Sequence, residues 1–136
     1  MYTAVLVRYD EIGTKGKNRP WFEDILLENI RRSTAKLGTA RKFRGRIEVT
    51  PFGEEKVPEI LSLLALLPGV SSFSPAVRLP LTASWDEITA AALPFADQAI
   101  AEGRTIFRVS CTRSNKRYPL TSPEIQKKLA AAVLTC

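Results

Sequence analysis

Hydrophobic periodicity changes along the first 80 residues in one order, and that order leaves few folds open. Residues 2–9 (YTAVLVRY) are rich in β-branched and aromatic side chains and too few for an independent helix, so they read as a buried strand. After a glycine-containing loop, Phe22, Ile25, Leu26, Ile30 and Leu37 fall on one helical face, with Pro20 near the start and Gly38 at the end. Arg31, Arg32 and Lys36 in the last turns complement the helix dipole. Residues 40–50 read as a hairpin turning at Gly45, and Arg46-Ile47-Glu48-Val49-Thr50 alternates polar outward and apolar inward. A second helix is expected over residues 54–67, where Val57, Ile60, Leu61 and Leu64 share a face, and Pro68-Gly69 stops it. Residues 70–77 supply a further strand, which Pro75 assigns to an edge or a bend.

Strand, helix, strand, strand, helix, strand is the ferredoxin-like order, so residues 1–80 are expected to form an α+β, βαββαβ domain. Arg78-Leu79-Pro80 reads as a linker, and residues 81–136 as a second unit. There Ser84-Trp85-Asp86-Glu87 is a capping box. It opens a helix with Ile88, Ala91, Ala92, Phe95 and Ala99 as its apolar stripe and Gly103 at its end. Pro94, inside that stripe, is expected to kink or divide it. Residues 105–111 read as a strand with Phe107, Val109 and Cys111 on one face. Ser122 is expected to cap a final helix, with Pro123 at the first position and Ile125, Leu129 and Val133 on one side. Two helices around one strand leave both strand edges unpaired, so this α/β unit is expected to be incomplete. Either its strand joins a sheet from elsewhere, or the chain is the front of a longer protein.

Charge is distributed unevenly. Residues 1–50 hold eleven Lys/Arg against six Asp/Glu, residues 51–103 two against seven, and residues 104–136 seven against one. Two basic blocks around an acidic middle suit a polyanionic partner. The most apolar stretch, residues 60–70, is interrupted by Ser62 and Pro68 and is far shorter than the roughly 20 residues of a membrane span. No membrane partner is therefore expected. Cys111 and Cys136 form no metal or redox motif, which fits a reduced, cytoplasmic setting.

Between the first strand and first helix, EIGTKGKNRPWF places Lys15, Lys17 and Arg19 beside two glycines at a helix N-terminus, an arrangement suited to phosphate. A Walker A loop needs wider glycine spacing and a hydroxyl after the lysine, where Asn18 stands. Gly13-Thr14-Lys15-Gly16 matches the GXXG of KH domains, but that motif joins two helices rather than a strand and a helix. Arg41, Lys42, Arg44 and Arg46 make the hairpin basic, and Arg113, Lys116 and Arg117 form another cluster ahead of the last helix. Tyr118 beside that cluster could stack on a base or pack inward. Without histidine there is no imidazole base, and no nucleophile, base and orienting group assemble along the chain. Nucleic-acid binding is favoured over catalysis.

From Val7 to Arg32 the chain reads VRYDEIGTKGKNRPWFEDILLENIRR, which resembles the amino terminus of the tRNA 4-thiouridine synthase family, ThiI, also called a thiamine biosynthesis protein. From Phe107 to Leu134, FRVSCTRSNKRYPLTSPEIQKKLAAAVL resembles the first part of that family's THUMP domain. The two matches, in order and suitably spaced, frame the chain. The resemblance implies a ferredoxin-like domain over residues 1–80 and a THUMP domain, truncated on its C-terminal side, over residues 81–136. In the family both bind tRNA, with THUMP on the acceptor end. A PP-loop domain adenylates the target uridine with ATP, and a persulfide-carrying cysteine delivers sulfur, in some members also for thiamine thiazole.

This sequence departs there, having no SGGxDS-like loop and no cysteine in the sulfur-transfer context. The resemblance therefore implies a tRNA-binding N-terminal portion of a tRNA sulfurtransferase, inactive alone and without a cofactor of its own. ATP and a sulfur-donor protein would belong to the PP-loop domain. Lys15, Lys17 and Arg19, with the Arg41, Lys42 and Arg44 ribbon, would contact RNA from the ferredoxin-like side, and Arg113, Lys116 and Arg117 from the THUMP side. The alternative is an assembly module whose open strand pairs with a second copy, as a homodimer, or with another chain.

Overall fold

The computed structural model describes residues 2–9, 18–43, 45–104, 106–111 and 120–134, the side chains of Asn18 and Arg19 excepted. The chain forms two compact units, Met1–Arg78 and Leu79–Cys136.

In the first unit the order is β1 (Ala4–Tyr9), α1 (Asn18–Thr34), β2 (Gly38–Phe43), β3 (Arg46–Pro51), a 3-10 turn (Glu54–Lys56), α2 (Val57–Leu64) and β4 (Val70–Ala76). The strands build one antiparallel sheet in the order β2-β3-β1-β4. β3 lies between β1 and β2, and β1 between β3 and β4, so each helix spans an intervening strand. This is the split βαβ arrangement of the ferredoxin-like fold.

Strand alternation assigns the faces. Val5 and Val7 pair with Val49 and Ile47, and all four are fully buried. Leu26, Leu27 and Ile30 of α1 and Val57, Ile60 and Leu64 of α2 complete that core. Burying each such side chain contributes about 1.5–3 kcal/mol. Thr34 is buried too, with its hydroxyl donating to the Ile30 carbonyl at 2.7 Å.

The helix end differs from the sequence expectation. α1 stops at Thr34, whose carbonyl accepts from the Leu37 N–H at 2.9 Å, and Gly38 opens β2 instead of terminating the helix. Gly38 is needed for close approach, because a Cβ there would run into the Thr50 carbonyl oxygen. Leu37 is buried just beyond α1 rather than on its face, while Ile25 is exposed and Leu27 is buried in its stead. The hairpin does turn at Gly45 (φ 80°), and Pro75 does lie on an edge strand, β4.

In the second unit, α3 (Trp85–Ala101) is capped as expected, the Ser84 hydroxyl accepting from the Glu87 N–H at 3.2 Å. Pro94 does not divide it, although the ring leaves one helical carbonyl without its usual donor. α4 (Ser122–Leu134) is capped one residue earlier than expected. Thr121 Oγ1 accepts from the Glu124 N–H at 3.4 Å and donates to Glu124 Oε1 at 2.9 Å, a Thr-x-x-Glu box. Lys128 of α4 sits 5.9 Å from the Trp85 ring centre of α3. Residues 106–111, expected as a strand, join no ladder among the described residues, since no second strand of this unit lies beside them. Gln126 Nε2 donates to the Val109 carbonyl at 3.2 Å instead.

Gly38→Ala is expected to destabilise the chain by about 2 kcal/mol or more, because backbone must move. Gly45→Ala, which meets nothing within 4 Å, should cost only about 1 kcal/mol for its backbone conformation. Urea titrations of the two variants check this, and equal losses would contradict the close-approach role of Gly38.

Candidate nucleic-acid interface

The side of the sheet opposite the helices carries a different set of residues. Alternation places Arg41 and Phe43 of β2, Arg46 and Glu48 of β3, Leu6 and Arg8 of β1, and Ser72 and Ser74 of β4 on this open face. Phe43 pairs with Arg46, Arg41 with Glu48, Glu48 with Leu6, and Arg8 with Ser72. Arg78 follows β4, its backbone N–H donating to Thr3 Oγ1 at 2.7 Å beside the start of β1.

These side chains form one cluster. The guanidinium carbons of Arg41, Arg46 and Arg78 lie 5.9, 5.6 and 5.2 Å from the Phe43 ring centre. Glu48 is 5% exposed, and its carboxylate is clamped by Arg46 Nε at 3.2 Å and by Arg78 Nη2. Such burial of a carboxylate is tolerable only with charged partners. Arg8 Nη1 donates to the hydroxyls of Ser74 at 3.0 Å and Ser72 at 3.5 Å. Among the described residues, neither Arg8 nor Arg41 has a carboxylate partner. Among the described residues, four arginines and one glutamate leave the face strongly cationic.

Of the residues expected to touch RNA, the structure places Arg41 on this face and Lys42 on the helix side. Lys42 Nζ reaches Asp24 Oδ1 of α1 at 2.9 Å, and that hydrogen bond raises the lysine pKa above its ordinary value. Arg19 lies in the first turn of α1. Lys15, Lys17, Arg44, Arg113, Lys116 and Arg117 lie outside the described residues. Tyr118 does as well. Glu48, expected to face solvent, is instead covered by the arginines. Sequence reasoning did not assign Arg8, Phe43 or Arg78 to a site. The signal available was parity: Arg8, Arg41, Phe43 and Arg46 share a face once strand register is fixed.

Two family models match the chain: the ThiI ferredoxin-like domain over residues 4–74 and the THUMP domain over residues 82–135. The chain belongs to the ThiI family. Similar proteins include a probable tRNA sulfurtransferase of Moorella thermoacetica, 42% identical over 99% of this chain and 33% of its own length. Another, from Halothermothrix orenii, is 34% identical over 98% of this chain and 33% of its own length. The chain thus spans about a third of the curated ThiI-family relatives it matches. Among solved structures, the crystal structure of PH1313 from Pyrococcus horikoshii Ot3 aligns with a TM-score of 0.78 at 35% identity, covering 98% of this chain and 44% of that one. A 4-thiouridine synthetase solved as an RNA complex with bound ATP aligns with a TM-score of 0.75 at 27% identity, covering 99% of this chain and 33% of that one.

Among the described residues no cluster of His, Cys, Asp and Glu is arranged to hold a metal, and no helix is long and apolar enough to cross a membrane. Cys111 is a free thiol of intermediate exposure.

Glu48→Gln removes the negative charge under Arg46 and Arg78 while keeping the volume. Because those arginines are half-exposed, a loss of about 1–2 kcal/mol is expected in low salt. The deficit should shrink as salt screens the guanidinium repulsion. Denaturant melts at two ionic strengths measure it, and a deficit that grows with salt would contradict the assignment.

Proposed function

We propose that this chain is the tRNA-binding portion of a tRNA sulfurtransferase, holding substrate for chemistry performed by a PP-loop domain elsewhere in the enzyme. The observation that carries the reading is the full-length alignment of this chain with about a third of proteins named probable tRNA sulfurtransferases. The alignment to a 4-thiouridine synthetase–RNA complex and the cationic sheet face support it. Binding reads the A-form stem and the single-stranded end through phosphate and ribose rather than base edges. The chain itself needs no cofactor. ATP and the sulfur donor serve the PP-loop domain, and the setting is cytoplasmic.

Each phosphate contact releases condensed counterions, so tRNA affinity should fall about a thousandfold between roughly 50 and 200 mM salt if about six phosphates are held. A salt-independent affinity would contradict the reading. Reversing the charge of Arg113 and Lys116 should weaken binding about tenfold or more, whereas reversing Glu54 and Glu55 should not weaken it. Fluorescence anisotropy with labelled tRNA compares them, and equal effects would place the footprint elsewhere.

A second reading, assembly with another copy, draws on one observation in the second unit. Neither α3 nor α4 has a buried residue, and Ile100, Ile106, Phe107, Val133 and Leu134 line a cleft of about 490 Å³. Light scattering distinguishes the two: a stable dimer supports assembly, and a monomer across the concentration range contradicts it.

A further inference from the structure

We propose that the open face of the sheet is a docking surface for an unpaired RNA segment, with Phe43 stacking one base and Arg8 and Arg41 holding the flanking phosphates. This rests on the tRNA-binding reading and names the surface and the part of the RNA it takes.

Like charges side by side on neighbouring strands destabilise a sheet. Arg8 lies one step past the Val7–Ile47 pair and so beside Arg46, on strands about 4.8 Å apart. Glu48 neutralises part of that repulsion by clamping Arg46 and Arg78. Arg8 and Arg41, on either side of that pair, have no carboxylate partner among the described residues. A fold that needed only stability would place neutral side chains there. The cations left uncompensated are those that a polyanion would complete.

An aromatic ring among these cations points to nucleic acid rather than to a simple anion. Phe43 stands at the end of β2 with three guanidinium groups around its ring. An exposed guanidinium–ring contact is weaker than base stacking, so a base can displace one of these groups and release it toward phosphate. The displaced group keeps a partner, since phosphate accepts a guanidinium fork. A four-stranded sheet with a ring on the face away from its helices is a platform for splayed, single-stranded bases, whereas a duplex presents its phosphates and hides its bases. Glu48 preorganises the site, because it holds Arg46 and Arg78 beside the ring before RNA arrives. On the opposite side of the sheet, Lys42 is already satisfied by Asp24, and the helices cover the rest.

The test uses the whole chain, a labelled tRNA and a labelled 12-nucleotide oligouridylate. Phe43→Leu keeps an apolar side chain and should leave thermal stability close to the parent. It should weaken oligouridylate binding roughly tenfold without changing the salt slope, since stacking releases no counterions. Arg8→Gln with Arg41→Gln should reduce the slope of log affinity against log salt by about 1.5. Oligouridylate affinities of Phe43→Leu within twofold of the parent, or an unchanged slope in the double variant, overturn the proposal. If tRNA binding then still responds to Arg113 and Lys116, the broader tRNA reading stands while this surface falls. If the parent holds oligouridylate through Phe43 but shows no preference for tRNA, the surface stands and the tRNA reading falls.

Discussion

The two central strands impose most of this architecture through a single constraint, the two-residue period of extended backbone. In β1 and β3 one parity is Val5, Val7, Ile47 and Val49, all fully buried under the helices. The other parity is Leu6, Arg8, Arg46 and Glu48. A shift of one residue in the β1–β3 pairing would turn one of the two strands over, sending Arg8 of β1, or Arg46 and Glu48 of β3, toward the core and two of the buried aliphatic side chains into solvent. Register is therefore held by the hydrophobic side, and the charged cluster on the other face inherits its geometry. The ion pairs of Glu48 align with that register rather than creating it.

Much of the first unit was legible because its signals are local. Periods of 2 and 3.6, the Gly45 turn and the Pro68-Gly69 stop specify six elements in order. The α1 end was not legible, because a glycine after a helix reads as a terminator. Here Gly38 answers to a carbonyl on a strand 12 residues further along, at Thr50. The same limit applies to the cationic face. Arg41 and Lys42 are neighbours in sequence and both basic, but alternation turns one to the open face and the other to Asp24. Arg78 lies outside the basic runs and joins the cluster only through the long-range pairing of β4 with β1.

The second unit illustrates the complementary case. Its helix caps are local and were read to within one residue, the difference being that Thr121 rather than Ser122 supplies the capping oxygen. The segment 106–111 has strand-like composition but no ladder among the described residues. Composition can propose a strand, whereas a neighbouring strand is required to make one. That difference explains why α3 and α4 bury so little while α1 and α2 enclose a core.

The functional account joins family and surface. Membership of the ThiI family supplies the expectation of RNA, and the sheet supplies a face on which Arg8 and Arg41 have no carboxylate partner among the described residues. Photo-cross-linking of bound tRNA to the chain, followed by peptide mapping, tests that junction most directly. The account predicts cross-links at Phe43 and in the open-face residues of β2 and β3. Trp21, 68% exposed on α1, is an internal control that should stay unlinked. Cross-links confined to Trp21 and the helices, with none on the hairpin strands, would contradict it.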